Sequence, residues 1–136
     1  MAFLDLEKAF ELAKPSVVLH SLARRGIRGH LLAWNKNYLL NKEARVKFQG
    51  KLSSYKRLHN GTPQGGILSP FLFNILMENI ASLQFPTGVD IFIFADDVCI
   101  VSRGVRRITN LKKSLSIINT KTVELGLKIN TNKSKD

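Results

Sequence analysis

The sequence has one cysteine, few acidic residues and no long hydrophobic run. Because Cys99 is the only cysteine, a disulfide framework and a thiolate zinc site are excluded, and a reducing, intracellular compartment is expected, with cytoplasm and nucleus not distinguished. No apolar run approaches the roughly 20 residues of a membrane span, so we expect no membrane partner. The first ten residues, MAFLDLEKAF, lack the basic region of a signal peptide.

The shortage of acids leaves a strongly basic chain. Ten Asp and Glu stand against 21 Lys and Arg, which gives a formal net charge of +11. Between Leu12 and Met77 the only acid is Glu43. Such a balance indicates a polyanionic partner, with nucleic acid the first candidate. Acids cluster instead near Asp5 and near Asp96, as expected of a site that binds phosphates through metal ions.

Hydrophobic periodicity and turn residues predict the order of elements. At 136 residues the chain fits one domain, and the order predicts an α+β fold with helices packed on one face of a mainly antiparallel sheet. Ser69 is expected to cap the third long helix, with Pro70 as its first residue. The predicted elements are a strand at 2–6, helices at 15–25 and 29–41, a basic hairpin at 45–58, a loop at 59–66, a helix at 70–83, strands at 90–94 and 98–102, a helix over about 108–125 and a strand at 127–130.

The stretch IFIFADDVCIV, residues 91–101, places Asp96 and Asp97 between two apolar runs. We expect both runs to be buried in the middle of the sheet and to meet in a tight turn of residues 95–97. If the first strand is a neighbour, Asp5 joins the two aspartates and three carboxylates converge at one edge. Their repulsion favours Mg²⁺, which usually takes one or two carboxylates plus substrate phosphates. An ordinary turn that contains Asp-Asp is the alternative interpretation.

A second informative stretch is NGTPQGGILSP, residues 60–70. Its three glycines leave backbone exposed beside the start of an apolar helix, where a ligand could approach the main chain closely. Gln64 adds a side-chain amide. A plain connection between a hairpin and a helix is the alternative, since glycine-rich loops alone are weak signals.

Four segments, FLDLEKAFE, GTPQGGILSP, FADD and LGLKINTNKSK, together resemble the palm motifs of reverse transcriptases in order and approximate spacing. The resemblance covers residues 3–135 and is strongest to the non-LTR (LINE-type) retrotransposon enzymes. It implies a polymerase palm and an RNA-directed DNA polymerase, a nucleotidyltransferase that adds the nucleotidyl group of a dNTP to a primer 3′-hydroxyl. The implied partners are an RNA template, a DNA primer and dNTP, and the implied cofactors are two Mg²⁺ ions, with Mn²⁺ as an alternative.

The resemblance also implies roles for the residues that match its motifs. Asp5 matches the first metal-binding aspartate, and the carbonyl of Leu6 matches the backbone ligand beside it. Asp96 matches the second metal-binding aspartate. Asp97 matches its partner, which in this family is less directly tied to the metals. We therefore expect Asp96 to matter more than Asp97.

Four further residues match substrate positions of the family. Phe10 matches the aromatic residue that blocks a nucleotide 2′-hydroxyl and so favours dNTP, although a core aromatic is the alternative. Gln64 and Gly65 match the loop that contacts the incoming nucleotide and the template. Lys133 matches a lysine proposed to protonate the leaving pyrophosphate, although it could equally be solvated surface.

Three interpretations of the whole chain remain open at this point. The first is a retroelement polymerase palm, the second a maturase encoded by a group II intron, and the third an inactive nucleic-acid-binding remnant. The motifs make residues 1–136 a partial reverse transcriptase domain, with the fingers and thumb segments of the same polyprotein missing. We therefore expect the chain alone to polymerise poorly or not at all, and primer extension that Asp96→Ala abolishes would contradict that expectation.

Overall fold

The computed structural model describes residues 1–62 and 65–134 and shows helices and strands mixed along the chain. Within those residues it contains five helices and eight strands. In chain order they are β1 (Ala2–Glu7), α1 (Ala9–Leu12), α2 (Pro15–Arg24), α3 (Gly29–Leu40), β2 (Lys42–Ala44), β3 (Lys47–Phe48), β4 (Lys51–Leu52), β5 (Lys56–Leu58), α4 (Ser69–Ala81), β6 (Val89–Phe94), β7 (Asp97–Ser102), α5 (Arg107–Leu125) and β8 (Lys128–Ile129).

The main sheet has four strands in the order β6-β7-β1-β8, and each neighbouring pair is antiparallel. The first strand therefore lies between two strands from the far end of the chain. Its register with β7 runs from Ala2 opposite Ile100 to Asp5 opposite Asp97. The predicted α+β fold with a mainly antiparallel sheet is confirmed.

The hydrophobic core lies on one face of this sheet. In β1 the side chains of Leu4 and Leu6 are buried, whereas Phe3, which precedes Leu4, is 54% exposed. Side chains of α2, α4 and α5, together with Leu39 of α3, complete the core. Because successive residues of a strand point to opposite faces, the helices cover one face, as predicted.

The other face of the sheet is open, which corrects one expectation. The apolar run of residues 91–94 is not buried in the middle of the sheet, because β6 is an edge strand. Phe92 is 58% exposed and Phe94 is 84% exposed. Their alternation with Ile91 and Ile93, which pack against the core, places both rings on the open face.

The predicted bounds of the helices hold to within one or two residues, with two differences. α4 begins at Ser69 with Leu68 as its N-cap, so Ser69 does not occupy the predicted cap position and Pro70 is the second helical residue. The Leu72 amide donates to the Leu68 carbonyl over 2.9 Å, which starts the helical turn one residue early. The four-residue helix α1 was not predicted, since one turn carries no periodicity. No described helix is long and apolar enough to cross a membrane.

Residues 42–58 form the predicted basic hairpin, which we call the arm. β2 pairs with β5, and β3 pairs with β4. The chain reverses at Gln49 and Gly50, whose φ angles of 47° and 77° suit a two-residue hairpin turn. The arm begins at Lys42, three residues earlier than predicted.

After the arm, the chain docks against the residues that follow β1. The Gly61 amide donates to the Ala13 carbonyl and the Thr62 amide to the Phe10 carbonyl, both over 2.9 Å. A Cβ at Gly61, where φ is +81°, would lie 2.8 Å from the Phe10 carbonyl oxygen. Glycine is therefore required for this approach, which holds the start of the glycine-rich loop against α1.

Candidate active site

Asp5 and Asp97 face one another across β1 and β7. They are register partners, and partners in an antiparallel pair place their side chains on the same face. Asp5 is half-buried, with 22% of its side chain exposed, and Asp97 is exposed. Both carboxylates therefore lie on the open face of the sheet, at the end nearest the β6–β7 turn.

Asp96 occupies that turn, beside Ala95, whose φ is +53°. Its carbonyl accepts the Leu6 amide over 3.2 Å, which ties the turn to β1. The strand pairs run to Phe94 opposite Asp97, so the turn has two residues rather than the predicted three. The turn thus sits directly against Leu6, whose carbonyl was predicted as a metal ligand.

The structure brings together two of the three predicted carboxylates. Asp97, the first residue of β7, is the register partner of Asp5, whereas Asp96 lies in the turn before β7 and has no register partner in β1. Within residues 1–62 and 65–134, no group of three or more His, Cys, Asp or Glu is placed to hold a metal ion. The predicted ranking of Asp96 above Asp97 stays a prediction.

Lys133 comes close to the carboxylates from the segment after β8. Its Nζ lies 3.9 Å from an Oδ of Asp5, although 70% of the side chain is exposed. The Asn130 amide donates to the Asp5 carbonyl over 2.8 Å. The Asp5 amide donates to Ser134 Oγ over 3.4 Å, and that hydroxyl donates to the Asn130 carbonyl over 2.7 Å. Asn130 and Ser134 therefore hold the segment against β1.

This anchoring was not predicted from the sequence. The run NTNKS carries the Asn and Ser residues that commonly hydrogen-bond to nearby backbone, which was the available signal. Its position beside Asp5 depends on the pairing of β8 with β1, and residues about 125 positions apart are not joined by any local pattern.

Two opposed carboxylates destabilise the sheet unless a cation offsets their charge, because like charges directly opposite repel. Lys133 supplies one positive charge at 3.9 Å from Asp5. Carboxylate oxygens are hard ligands, and Mg²⁺ sites commonly combine one or two protein carboxylates with substrate phosphates. The residues present therefore fit a divalent ion whose site is completed by a substrate rather than by protein alone.

A groove of about 350 Å³ runs along the open face beside the two carboxylates. One end is acidic and the rest is apolar, with exposed phenylalanine rings as its main surface. The sequence carried no signal for this face, because residues 91–94 are all apolar. The groove is lined by Phe3, Leu4, Asp5, Phe92, Ile93, Phe94, Asp97, Val98, Cys99 and Lys133.

Phe10 lies in α1, just after β1, and stacks on Phe73 of α4. The ring centroids are 4.1 Å apart and the rings are inclined by 19°. Phe10 and Gly65 also line a common hollow of about 500 Å³ with Gly66, Ser69 and Pro70. Phe10 is therefore both packed against the core and accessible from a cavity, so its two predicted interpretations are compatible. Gln64 lies outside the described residues.

Similar proteins identify the family to which this fold and these motifs belong. The family model described as reverse transcriptase (RNA-dependent DNA polymerase) matches residues 1–136. The RNA-directed DNA polymerase from mobile element jockey of Drosophila melanogaster is 29% identical over 76% of this chain. The retrovirus-related Pol polyprotein from the type-1 retrotransposable element R2 of Nasonia vitripennis is 28% identical over 95% of it.

Solved structures agree on the fold. Apo telomerase from Candida tropicalis, truncated from its C-terminal domain, superimposes on 98% of this chain with a TM-score of 0.79 at 16% identity. Telomerase from the same organism, in complex with a fragment of telomeric RNA, gives a TM-score of 0.78 at 15% identity. This chain covers 29% and 25% of those two chains.

The chain spans only 12% of the jockey protein and 13% of the R2 polyprotein. Both relatives come from mobile elements, which confirms the resemblance to non-LTR retrotransposon enzymes. Reverse transcriptases generally use divalent metal ions and act on RNA templates. Since the family model covers the sequence from end to end, the chain belongs to the reverse transcriptase (RNA-dependent DNA polymerase) family.

Proposed function

We propose that this chain is the palm segment of a retroelement RNA-directed DNA polymerase, which transfers a deoxynucleotidyl group from dNTP to a primer 3′-hydroxyl on an RNA template and releases pyrophosphate. The observation that carries the proposal is the register of β1 and β7, which sets Asp5 opposite Asp97 on an open face with Lys133 beside them. The names of the similar proteins support it, because both come from mobile elements. Those names favour a retroelement over an intron-encoded maturase.

Asp5, Asp96 and the carbonyl of Leu6 would hold two Mg²⁺ or Mn²⁺ ions. When bound, such ions lower the pKa of an attacking hydroxyl and offset charge on the leaving group. The hydrogen bond from the Leu6 amide to the Asp96 carbonyl supports this assignment, because it keeps the turn next to β1. Asp97, opposite Asp5, adds a second carboxylate on the open face.

The residues around the carboxylates would bind and orient the nucleotide. Lys133 carries a positive charge within 3.9 Å of Asp5 and would meet the phosphates, where it would also donate a proton to the leaving pyrophosphate. Phe10 would exclude a nucleotide 2′-hydroxyl, because stacking on Phe73 restricts rotation of its ring. Gly65 shares the hollow with Phe10, and Gln64 is expected beside it.

Binding of a fluorescent dNTP to the purified chain, in the presence of an RNA–DNA template–primer, tests the proposal. With Mg²⁺ we expect binding that EDTA removes. Asp5→Asn, Asp96→Asn and Asp97→Asn should each weaken it by at least about tenfold, since even groups that only support metal ligands contribute that much.

Asp90→Asn is the matched control. Asp90 lies in the same hairpin at the other end of β6 and pairs with Arg103 over 2.5 Å. Its loss removes one negative charge from the sheet without touching the open carboxylate pair. Equal binding in EDTA, or an equal loss in Asp90→Asn and Asp5→Asn, would overturn the proposal and favour the inactive remnant.

A further inference from the structure

The arm, residues 42–58, stands apart from the palm. Every residue from 43 to 60 is exposed, a run longer than any other in the described chain. The arm has six basic residues and one acid, so it carries a net charge of +5 out of +11 for the whole chain. The basic residues are Lys42, Arg45, Lys47, Lys51, Lys56 and Arg57, and the acid is Glu43.

The arm is anchored at its root by Lys42. Its ammonium donates to the carbonyls of Asn60, over 2.8 Å, and Gly61. Burial lowers the pKa of Lys42 below its usual value. These hydrogen bonds fix the root to the loop that docks on α1, so the arm projects from a defined place beside the candidate active site rather than from a free linker.

The other cations of the arm have no acidic partner in the part of the chain that the structure describes. Within residues 1–62 and 65–134, none of them forms an ion pair with a carboxylate. Glu43 stands opposite Arg57 in the register but makes no such pair. An uncompensated cluster of this size attracts phosphates and repels other basic surfaces.

Two exposed aromatic rings lie among these cations. Phe48 is 69% exposed and stands opposite Lys51, next to the turn. Tyr55 is 62% exposed and has the Arg45 guanidinium over its ring, 4.8 Å from the centroid. Each ring therefore sits beside a cation and leaves surface open to solvent.

Exposed rings interleaved with free cations are the features that proteins use to hold single-stranded nucleic acid, with bases stacked on the rings and phosphates paired with the cations. Paired bases in a duplex are already stacked on their neighbours and leave the rings without partners. A protein partner would have to bring its own acids to the arm. We propose that the arm binds single-stranded RNA or DNA, without sequence preference, through Phe48, Tyr55 and the cations beside them.

Fluorescence anisotropy of labelled oligo(U) and oligo(dT) with the purified chain tests this. Phe48→Ala and Tyr55→Ala should each weaken binding roughly tenfold, without a change in the salt dependence because no charge is removed. Lys47→Ala combined with Lys51→Ala should lower the slope of log K against log salt by about 0.7 for each phosphate that the variant no longer neutralises. Phe48→Trp should retain the affinity, and Phe48→Leu should not.

Two control variants match these changes elsewhere on the surface. Phe71→Ala removes a ring of α4 that is 51% exposed, and Lys112→Ala with Lys113→Ala removes two exposed charges from α5. Both should bind within about twofold of the original chain, and urea unfolding checks that every variant folds.

Two results would overturn the proposal. The first is that the arm variants bind oligo(U) as tightly as the control variants do. The arm would then be a surface for a protein partner instead. The second is that a duplex binds as tightly as a single strand and that Tyr55→Ala does not weaken duplex binding. Binding would then depend on charge alone and not on stacking of bases on the rings. The oligonucleotide binding is measured in EDTA, and Asp5→Asn should leave it unchanged. A failure of this proposal can therefore be told apart from a failure of metal-dependent dNTP binding.

Discussion

Gly61→Ala should destabilise the domain more than a Gly→Ala substitution at another position with a similar positive φ. At a φ of +81° an alanine costs about 1–2 kcal/mol, because a Cβ is unfavourable in the left-handed region. The added Cβ would also lie 2.8 Å from the Phe10 carbonyl oxygen and 2.9 Å from that of Glu11. Both neighbours are backbone atoms, so they cannot move aside as a flexible side chain would.

Relief of this crowding requires the loop to shift away from α1. The shift would break or lengthen the hydrogen bonds from Gly61 to Ala13 and from Thr62 to Phe10, at about 0.5–1.5 kcal/mol each. The expected loss is therefore about 2–5 kcal/mol in total. Small domains have about 5–15 kcal/mol of stability, so this is a large share of it.

Gly26→Ala is the matched control. Its φ is +86°, and a Cβ there would meet no atom within 4 Å. The entropy that alanine removes from the unfolded chain is common to both variants and cancels in the comparison. The difference between them, about 1–3 kcal/mol, isolates the docking of the loop on α1.

Urea unfolding, followed by far-ultraviolet circular dichroism or by fluorescence of the single tryptophan Trp34, measures that difference. With a denaturant slope of about 1–3 kcal/mol per M, the midpoint of Gly61→Ala should lie roughly 1 M below that of Gly26→Ala. Midpoints that agree within about 0.2 M would refute the reasoning, since they would show that the loop moves away from the added Cβ without a loss of stability.

Three further perturbations test other parts of the structure. Asp97→Asn should raise the free energy of unfolding by up to about 1 kcal/mol at low salt without metal, because it removes the repulsion from Asp5; a loss of stability, or a gain that 1 M salt leaves unchanged, would contradict this. Ile118→Ala should lower stability by about 2–5 kcal/mol in urea unfolding, since Ile118 is fully buried, and a loss below 1 kcal/mol would place it outside the core. Phe10→Ala should lower the ratio of dNTP affinity to NTP affinity in the fluorescent nucleotide assay. Phe73→Leu should lower it less, because Phe73 only supports the Phe10 ring. An unchanged ratio in Phe10→Ala would show that Phe10 is a core residue alone.

The order and type of the longer elements could be predicted from the sequence, because each depends on a local pattern. Examples are the three- and four-residue spacing of apolar residues in α5, the proline that begins α2 and the glycine that follows it. The same holds for the arm, whose Gln-Gly turn and basic composition lie within 17 residues. Local signals failed for α1 and for the first residue of α4, where a single hydrogen-bonded turn decides the boundary.

The motifs named the candidate site residues but could not say how they meet. Asp5 and Asp97 are opposite one another only because β1 pairs with β7, across 92 positions of sequence. Burial was equally non-local. Residues 91–94 are all apolar, yet Phe92 and Phe94 are exposed because the helices cover only the other face of the sheet, and Phe3 of the inner strand β1 is exposed on the same face. A run of consecutive apolar residues does not indicate which face of the sheet the helices will cover.

The amino-acid sequence by itself determined the family, the elements and the chemistry available, since these depend on side-chain type and spacing along one chain. Tertiary structure decided which carboxylates face each other, that Ser134 and Asn130 bring Lys133 to Asp5, and that Gly61 locks the loop onto α1. These depend on strand register and backbone contact between distant segments. Such pairings are chosen by the free energy of the whole fold rather than by any single stretch of it.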